Sequence, residues 1–177
     1  QTARQHESVS SGWAARLGLR YEPLDADGSR SLMRRLHQSG PLTVQKPFYP
    51  EGPVCHTYLL HPPGGIVGGD GLTLELGVAQ GAGALLTTPA ATKVYRSAGA
   101  SSQVIQSFDV AAGGALEWLP SDTILFGGSR HRLQTRVNLA GDAVFFGWEV
   151  VSLGRPAAGD DYALGDFGSR MTITRDG

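Results

Sequence analysis

Val78-Ala79-Gln80-Gly81-Ala82-Gly83-Ala84-Leu85 recurs as Val110-Ala111-Ala112-Gly113-Gly114-Ala115-Leu116, displaced by 32 positions (78 to 110). Val137 to Val144, turning at Gly141, is a looser third copy. Each copy reads as strand, glycine turn, strand. Stacked units of this kind close a core in a β-solenoid or a layered sandwich. A run of ordinary glycine-turn hairpins looks the same, and the copies alone leave both readings open.

The segments around the copies also read as strands. Leu72, Leu74, Leu76 and Val78 alternate with polar or small residues, as a half-buried strand requires. Trp13, Ala15, Leu17, Leu19 and Tyr21 share one face, with Arg16 and Arg20 opposite. Leu32–Leu36 fits strand or helix and is taken as strand. Leu42 and Val44 begin a short strand, and Val54–Leu60 is another. Ala84–Thr88, Thr92–Ser97, Gln103–Val110, Ala115–Leu119, Thr123–Phe126, Leu133–Leu139, Ala143–Val151 and Met171–Arg175 are all bounded by Gly, Pro, Asp or Ser. Ala157–Leu164 is the one predicted helix, ended by Gly165, and Asp25-Ala26-Asp27-Gly28 is a turn. The chain ends on Arg175-Asp176-Gly177, and Asp-Gly after a strand signals a hairpin. No returning strand follows, so the reading is a fold cut short, with an open edge.

Composition agrees with an all-β chain. The 177 residues suit one domain, with 25 glycines and 10 prolines to punctuate it. Residues 1–11 are polar and are expected to be disordered; 12–177 form a single β-rich domain. The apolar fraction is 41% and the charged fraction 18%, which excludes a disordered chain. The net charge of −1 offers no general attraction to nucleic acid or an anionic bilayer. Apolar runs such as Val144–Trp148 are far shorter than the roughly 20 residues of a membrane helix. One cysteine, Cys55, permits no internal disulfide, and the simplest compartment is the cytoplasm.

Enzyme motifs are missing. There is no P-loop, no Gly-x-Gly-x-x-Gly, no Gly-x-Ser-x-Gly and no Cys or His spacing suited to zinc. Cys55 and His56 are adjacent in a strand, so their side chains take opposite faces. Cys55 and His61 share a face only if the strand runs unbroken to His61. A small buried thiol is the better reading; a metal-dependent hydrolase built on Cys55 and nearby histidines, or a free-standing β-rich binding module, are the rivals. The loop Pro62–Gly71 holds two prolines and five glycines and is built to keep a shape. Asp70 at its end suits a backbone cap or a contact with a partner or metal.

Gly40-Pro41-Leu42-Thr43-Val44-Gln45-Lys46-Pro47-Phe48-Tyr49-Pro50-Glu51, followed by Cys55–Asp70, resembles the urease accessory protein family UreD, also called UreH. Leu86–Arg96, Leu116–Pro120, Trp148-Glu149 and Leu153-Gly154-Arg155 extend the resemblance, which runs in order from 13 to 177. One local departure is Asp160-Asp161 after Gly159, where the family carries Gly-Glu. The resemblance implies a non-enzymatic scaffold with a β-helical fold and additional segments beyond this stretch. It implies that the protein joins UreF and the GTPase UreG on apo-urease and gives nickel a passage to the urease active site. No tightly bound cofactor is implied, only nickel in transit. Nickel takes imidazole, carboxylate and thiolate donors. The polar candidates within the matching stretches are His61, Asp70, Glu117, Asp122 and Glu149. Thr87, Thr88, Lys93, Tyr95 and Arg96, with Arg155, are the candidate partner-binding or transfer-path residues, since Tyr and Arg are enriched at interfaces.

Overall fold

In a computed structural model, which describes residues 12–25 and 30–177, the strands flanking each glycine turn belong to different sheets. They are therefore successive sides of a coil and not hairpins. The strands are β1 (Ala14–Pro23), β2 (Ser31–Ser39), β3 (Thr43–Val44), β4 (Cys55–Leu60), β5 (Gly71–Val78), β6 (Gly83–Thr87), β7 (Thr92–Val94), β8 (Ser102–Val110), β9 (Ala115–Leu119), β10 (Thr123–Leu125), β11 (Arg130–Leu139), β12 (Val144–Gly147), β13 (Val151–Leu153) and β14 (Asp166–Arg175). They make three walls: a six-stranded sheet ordered β14-β11-β8-β5-β1-β2, a five-stranded sheet ordered β12-β9-β6-β4-β3, and a three-stranded sheet ordered β13-β10-β7. The chain visits them in turn, one coil running β5-β6-β7, the next β8-β9-β10, the third β11-β12-β13. All pairings between coils are parallel; only β2 and β3, at one end of the stack, pair antiparallel. This is a β-solenoid.

The corner between the first two walls explains the repeat. Ala82, Gly114 and Ala143 each donate a backbone N–H to the carbonyl three residues back, at Ala79, Ala111 and Ala140. Gly81, Gly113 and Gly141 hold φ of +74°, +71° and +52°, the left-handed region that glycine enters without a Cβ clash. Ala111 N–H bonds Val78 O in the coil before it, and Ala140 N–H bonds Val110 O. The coil length is not constant: Val78 pairs with Val110, and Val110 with Leu139. Asp142 Oδ1 accepts the Gly113 N–H at 2.7 Å, and Asp176 Oδ1 accepts the Gly141 N–H at 2.8 Å. The Asp176 N–H bonds Leu139 O, as the Ala140 N–H bonds Val110 O one coil earlier.

Inward residues stack in rows along the axis. Leu19, Leu76, Phe108 and Val137 form one row, and Ile66, Val94 and Leu125 another, nearly all fully buried. Trp118 meets the Phe108 ring edge-on at 5.6 Å across the core. Ala15, Leu17, Leu19 and Tyr21 are buried as the alternation requires, but Trp13 lies before β1 and is 61% exposed.

Three expected elements differ. The segment Ala143–Val151 is not one strand. It breaks after Gly147, because Trp148–Val150 is where the chain turns from the second wall into the third. The helix expected over Ala157–Leu164 is a single 3-10 turn, Pro156–Ala158. Tyr162 and Leu164 have positive φ, and the Asp160 and Asp161 side chains accept the N–H groups of Tyr162 and Ala163. Such local bonds compete with helix. The Thr92–Ser97 strand is shorter than expected, ending at Val94. Residues 1–11 and the tip of the turn after Asp25 lie outside the described residues. No described helix is long and apolar enough to cross a membrane.

Asp142→Ala removes an acceptor from the Gly113 N–H and is expected to cost about 1 kcal/mol, seen as a lower urea midpoint at unchanged slope. Phe108→Ala should cost about 3–5 kcal/mol, since it opens a cavity at the centre of a fully buried row.

Candidate functional site

The rows are not apolar throughout. The row that opens with Leu17 and Leu74 continues with Gln106 and Thr135. The row of Ser102 and His131 faces the same interior, and Ser102, Gln106, His131 and Thr135 are all buried. The lumen is thus lined by apolar residues beside β5, whereas beside β8 and β11 polar side chains are interleaved with apolar ones such as Phe108 and Val137. A core chosen only for stability would continue the leucines.

Between the walls is a cavity of about 90 Å³, large enough to hold water. Its lining includes His61, Thr88, Gln106, Trp118, His131 and Glu149. Glu149 sits at the corner between β12 and β13. It accepts hydrogen bonds from the Thr135 hydroxyl and, at 3.2 Å, from Ser169 Oγ. The Thr135 hydroxyl also lies 3.0 Å from Gln106 Oε1, so its single proton has two acceptors in reach. Ser102 Oγ donates to Arg130 O at 3.1 Å and lies 2.9 Å from His131 Nδ1. With the Ser102 proton committed to the carbonyl, Nδ1 is the donor and Nε2 keeps its lone pair. Burial pushes the His131 pKa down to about 4, with Arg132 adding to the effect. Burial lowers that of His61 too, against the opposing pull of Asp70. Both rings are therefore neutral imidazoles at neutral pH, the form that binds metal. His61 Nε2 and Trp118 Nε1 are buried without a protein partner.

The other expected residues are dispersed. Asp70 is buried and occupied: Oδ1 accepts Trp13 N–H at 2.8 Å and Oδ2 accepts Val67 N–H at 2.9 Å, so it caps the glycine loop. Glu117 faces outward from the second wall, and Asp122 is exposed at a corner. Thr87 Oγ1 bonds Leu119 O and Thr88 Oγ1 accepts the Ser121 N–H, both tying one coil to the next. Lys93 is exposed. Tyr95 meets Phe126 edge-on at 5.0 Å, and the Arg155 guanidinium lies 3.8 Å over the Phe126 ring, making an outer ladder across three coils. Arg96 lies beside it, bonded to Gly127 O. Asp160 completes this corner by accepting the Gly127 N–H and Arg155 Nε–H; these bonds hold its carboxyl below the usual range, the Gly127 N–H contributing most. Cys55 is fully buried, and burial pushes its thiol pKa up, the reverse of an activated nucleophile. The strand ends at Leu60, so Cys55 and His61 share no unbroken face.

Gln106, Thr135, Ser102 and His131 were missed in the sequence although their signal is there. Each is a polar residue in phase with the apolar face of an alternating strand.

A profile of the family described as UreD urease accessory protein matches residues 14–177. The chain belongs to the UreD urease accessory protein family. It is 49% identical over 166 residues to the urease accessory protein UreD of Alcanivorax borkumensis, covering 93% of this chain and 56% of that one. The UreD of Alkalilimnicola ehrlichii is 51% identical over 166 residues, covering 93% of this chain and 55% of the relative. UreD 2 of Brucella anthropi is 48% identical over 170 residues, covering 96% and 61%. The chain thus spans a little over half the length of these UreD relatives.

A buried neutral histidine makes the UreD-family lumen sensitive to acid. The unfolded-state imidazole titrates near 6.5 and the folded one near 4. Between these values the unfolded chain binds more protons, so stability falls as pH drops from about 6.5 to 4. The expected loss is about 3 kcal/mol. Urea melts of parent and His131→Gln across this range check it: the variant's stability should vary less with pH.

Proposed function

We propose that this chain acts in urease maturation as a scaffold that joins UreF and the GTPase UreG on apo-urease. In this reading nickel travels through the polar part of its lumen. The observation that supports the reading is the change of the Leu17–Leu74 row into Gln106 and Thr135, with Glu149 and two neutral histidines on the same cavity. Nickel accepts imidazole and carboxylate donors. No three of the described His, Cys, Asp and Glu side chains cluster closely enough to cage an ion. Donors spread along a wall hold a cation briefly and release it, as cargo requires. His61, His131 and Glu149 are the residues most suited to this by position. Asp70 serves the route by keeping the Pro62–Gly71 loop in shape, and its loss would leave two backbone N–H groups unsatisfied at about 1–3 kcal/mol each. Arg155, Tyr95 and Arg96 suit contact with a partner.

The test uses the full-length protein in nickel-dependent urease activation, alongside co-purification with UreF, UreG and apo-urease. Glu149→Gln combined with His61→Ala should lower activation several-fold while the complex persists; unchanged activation would remove the lumen from the route. Gly68→Val should do more damage than either alone. A Cβ there meets Ser97 Oγ at 2.4 Å and Ala100 O at 2.8 Å, so the loop must shift.

A further inference from the structure

The second wall breaks the alternation on its outer side. Across the six-stranded wall the outward residues are mostly charged or polar, with apolar exceptions such as Ile105 and Leu36: Arg16 pairs with Glu75 at 2.9 Å, and Asn138 bonds Asp109 at 2.7 Å. On β6, β9 and β12 of the five-stranded wall they include Leu85, Leu119, Val144 and Phe146, followed by Trp148, beside the small or polar Gly83, Thr87 and Ala115; on β4 the outward positions are His56 and Tyr58. Val144, Phe146 and Trp148 are 58%, 57% and 43% exposed, and the last two rings meet edge-on at 5.9 Å. Parallel strands that are apolar on both faces belong to sheets covered on both faces.

One charge stands in this field. Glu117 is in register with Leu85 on one side and Phe146 on the other. It is half-buried and has no hydrogen bond or ion pair with any described residue. Covering the face without a cation would strand that carboxylate in an apolar contact, which is strongly unfavourable. A second copy meeting this face with its own about a two-fold axis would bring two carboxylates and no lysine or arginine from these strands into one apolar contact. The occupant must therefore combine an apolar surface with a central basic group.

We propose that the outer face of this wall, centred on Glu117, is the docking surface for a separate protein that presents an apolar patch with one lysine or arginine at its middle. Phe146 and Trp148 supply the aromatic anchors and Glu117 the register. Aromatic contacts around one desolvated ion pair are the usual composition of an interface centre. The inference rests on the scaffold reading above, because it takes the partner from the same assembly.

The experiment uses the full-length protein, alone and mixed with UreF, UreG and apo-urease. Hydroxyl-radical footprinting should oxidise Phe146 and Trp148 in the free protein and protect both in a complex. Glu117→Lys should weaken one of these complexes at least tenfold, and Glu117→Gln less, with circular dichroism melts matching the parent. Protection of both rings already in the free protein would overturn the proposal, since the chain itself would then cover the face. Equal binding by parent and Glu117→Lys would also overturn it while leaving the nickel route intact. A parent that bound none of the three proteins would end the scaffold reading, and this proposal with it.

Discussion

The hydrogen bond between one coil and the next is the constraint on which everything else rests. A parallel sheet needs a long connection between neighbouring strands. Here that connection is the remainder of the coil, which builds the other two walls. β8 is paired with β5 on one side and β11 on the other along nearly its whole length. At the corners the same ladder continues through Ala79, Ala111 and Ala140, which donate to carbonyls of the preceding coil. Each of the three corners holds one left-handed glycine, two residues after Ala79 and Ala111 and directly after Ala140. Asp142 and Asp176 add charge-assisted acceptors where a glycine N–H would otherwise have none.

A stack of this kind makes the interior a set of rows, and that is how a polar path is placed in a protein core. Changing Leu74 to Gln106 and then Thr135 along one row alters the lumen without altering the fold, because the backbone ladder does not depend on what points inward. The polar groups then find partners in one another: the Thr135 hydroxyl with Glu149, and His131 with Ser102. Such pairing offsets the desolvation each would suffer alone. The two imidazoles stay neutral because they are buried.

The ends of the stack carry different solutions. Beside β1, the antiparallel strands β2 and β3 and the loop around Phe48 cover the coil, with Phe48 stacked on Tyr58 at 5.4 Å. At β14 the inward residues Met171 and Ile173 remain 37% and 52% exposed. The outer faces differ too: the six-stranded wall is laced with ion pairs, such as Arg16–Glu75–His37, which holds the Glu75 carboxyl below its usual range, whereas the five-stranded wall exposes Val144 and Phe146.

The sequence by itself determined the strands, their inward faces and the corner. Alternation records which side of a strand is dry, and a glycine at Gly81, Gly113 and Gly141 records a backbone conformation. It also determined the family, through motifs spread from Gly40 to Arg155. His61 and Glu149 were legible as candidates, but not as neighbours of one cavity. Only the tertiary structure decided that the repeats are coils and not hairpins, because a local glycine turn is compatible with either pairing. It alone placed Asp70 under the loop as a cap, turned Glu117 outward and gathered Gln106, Thr135 and His131 around the lumen. Those positions depend on register between strands some 30 residues apart, and pairing at that distance is set by the packing of whole coils.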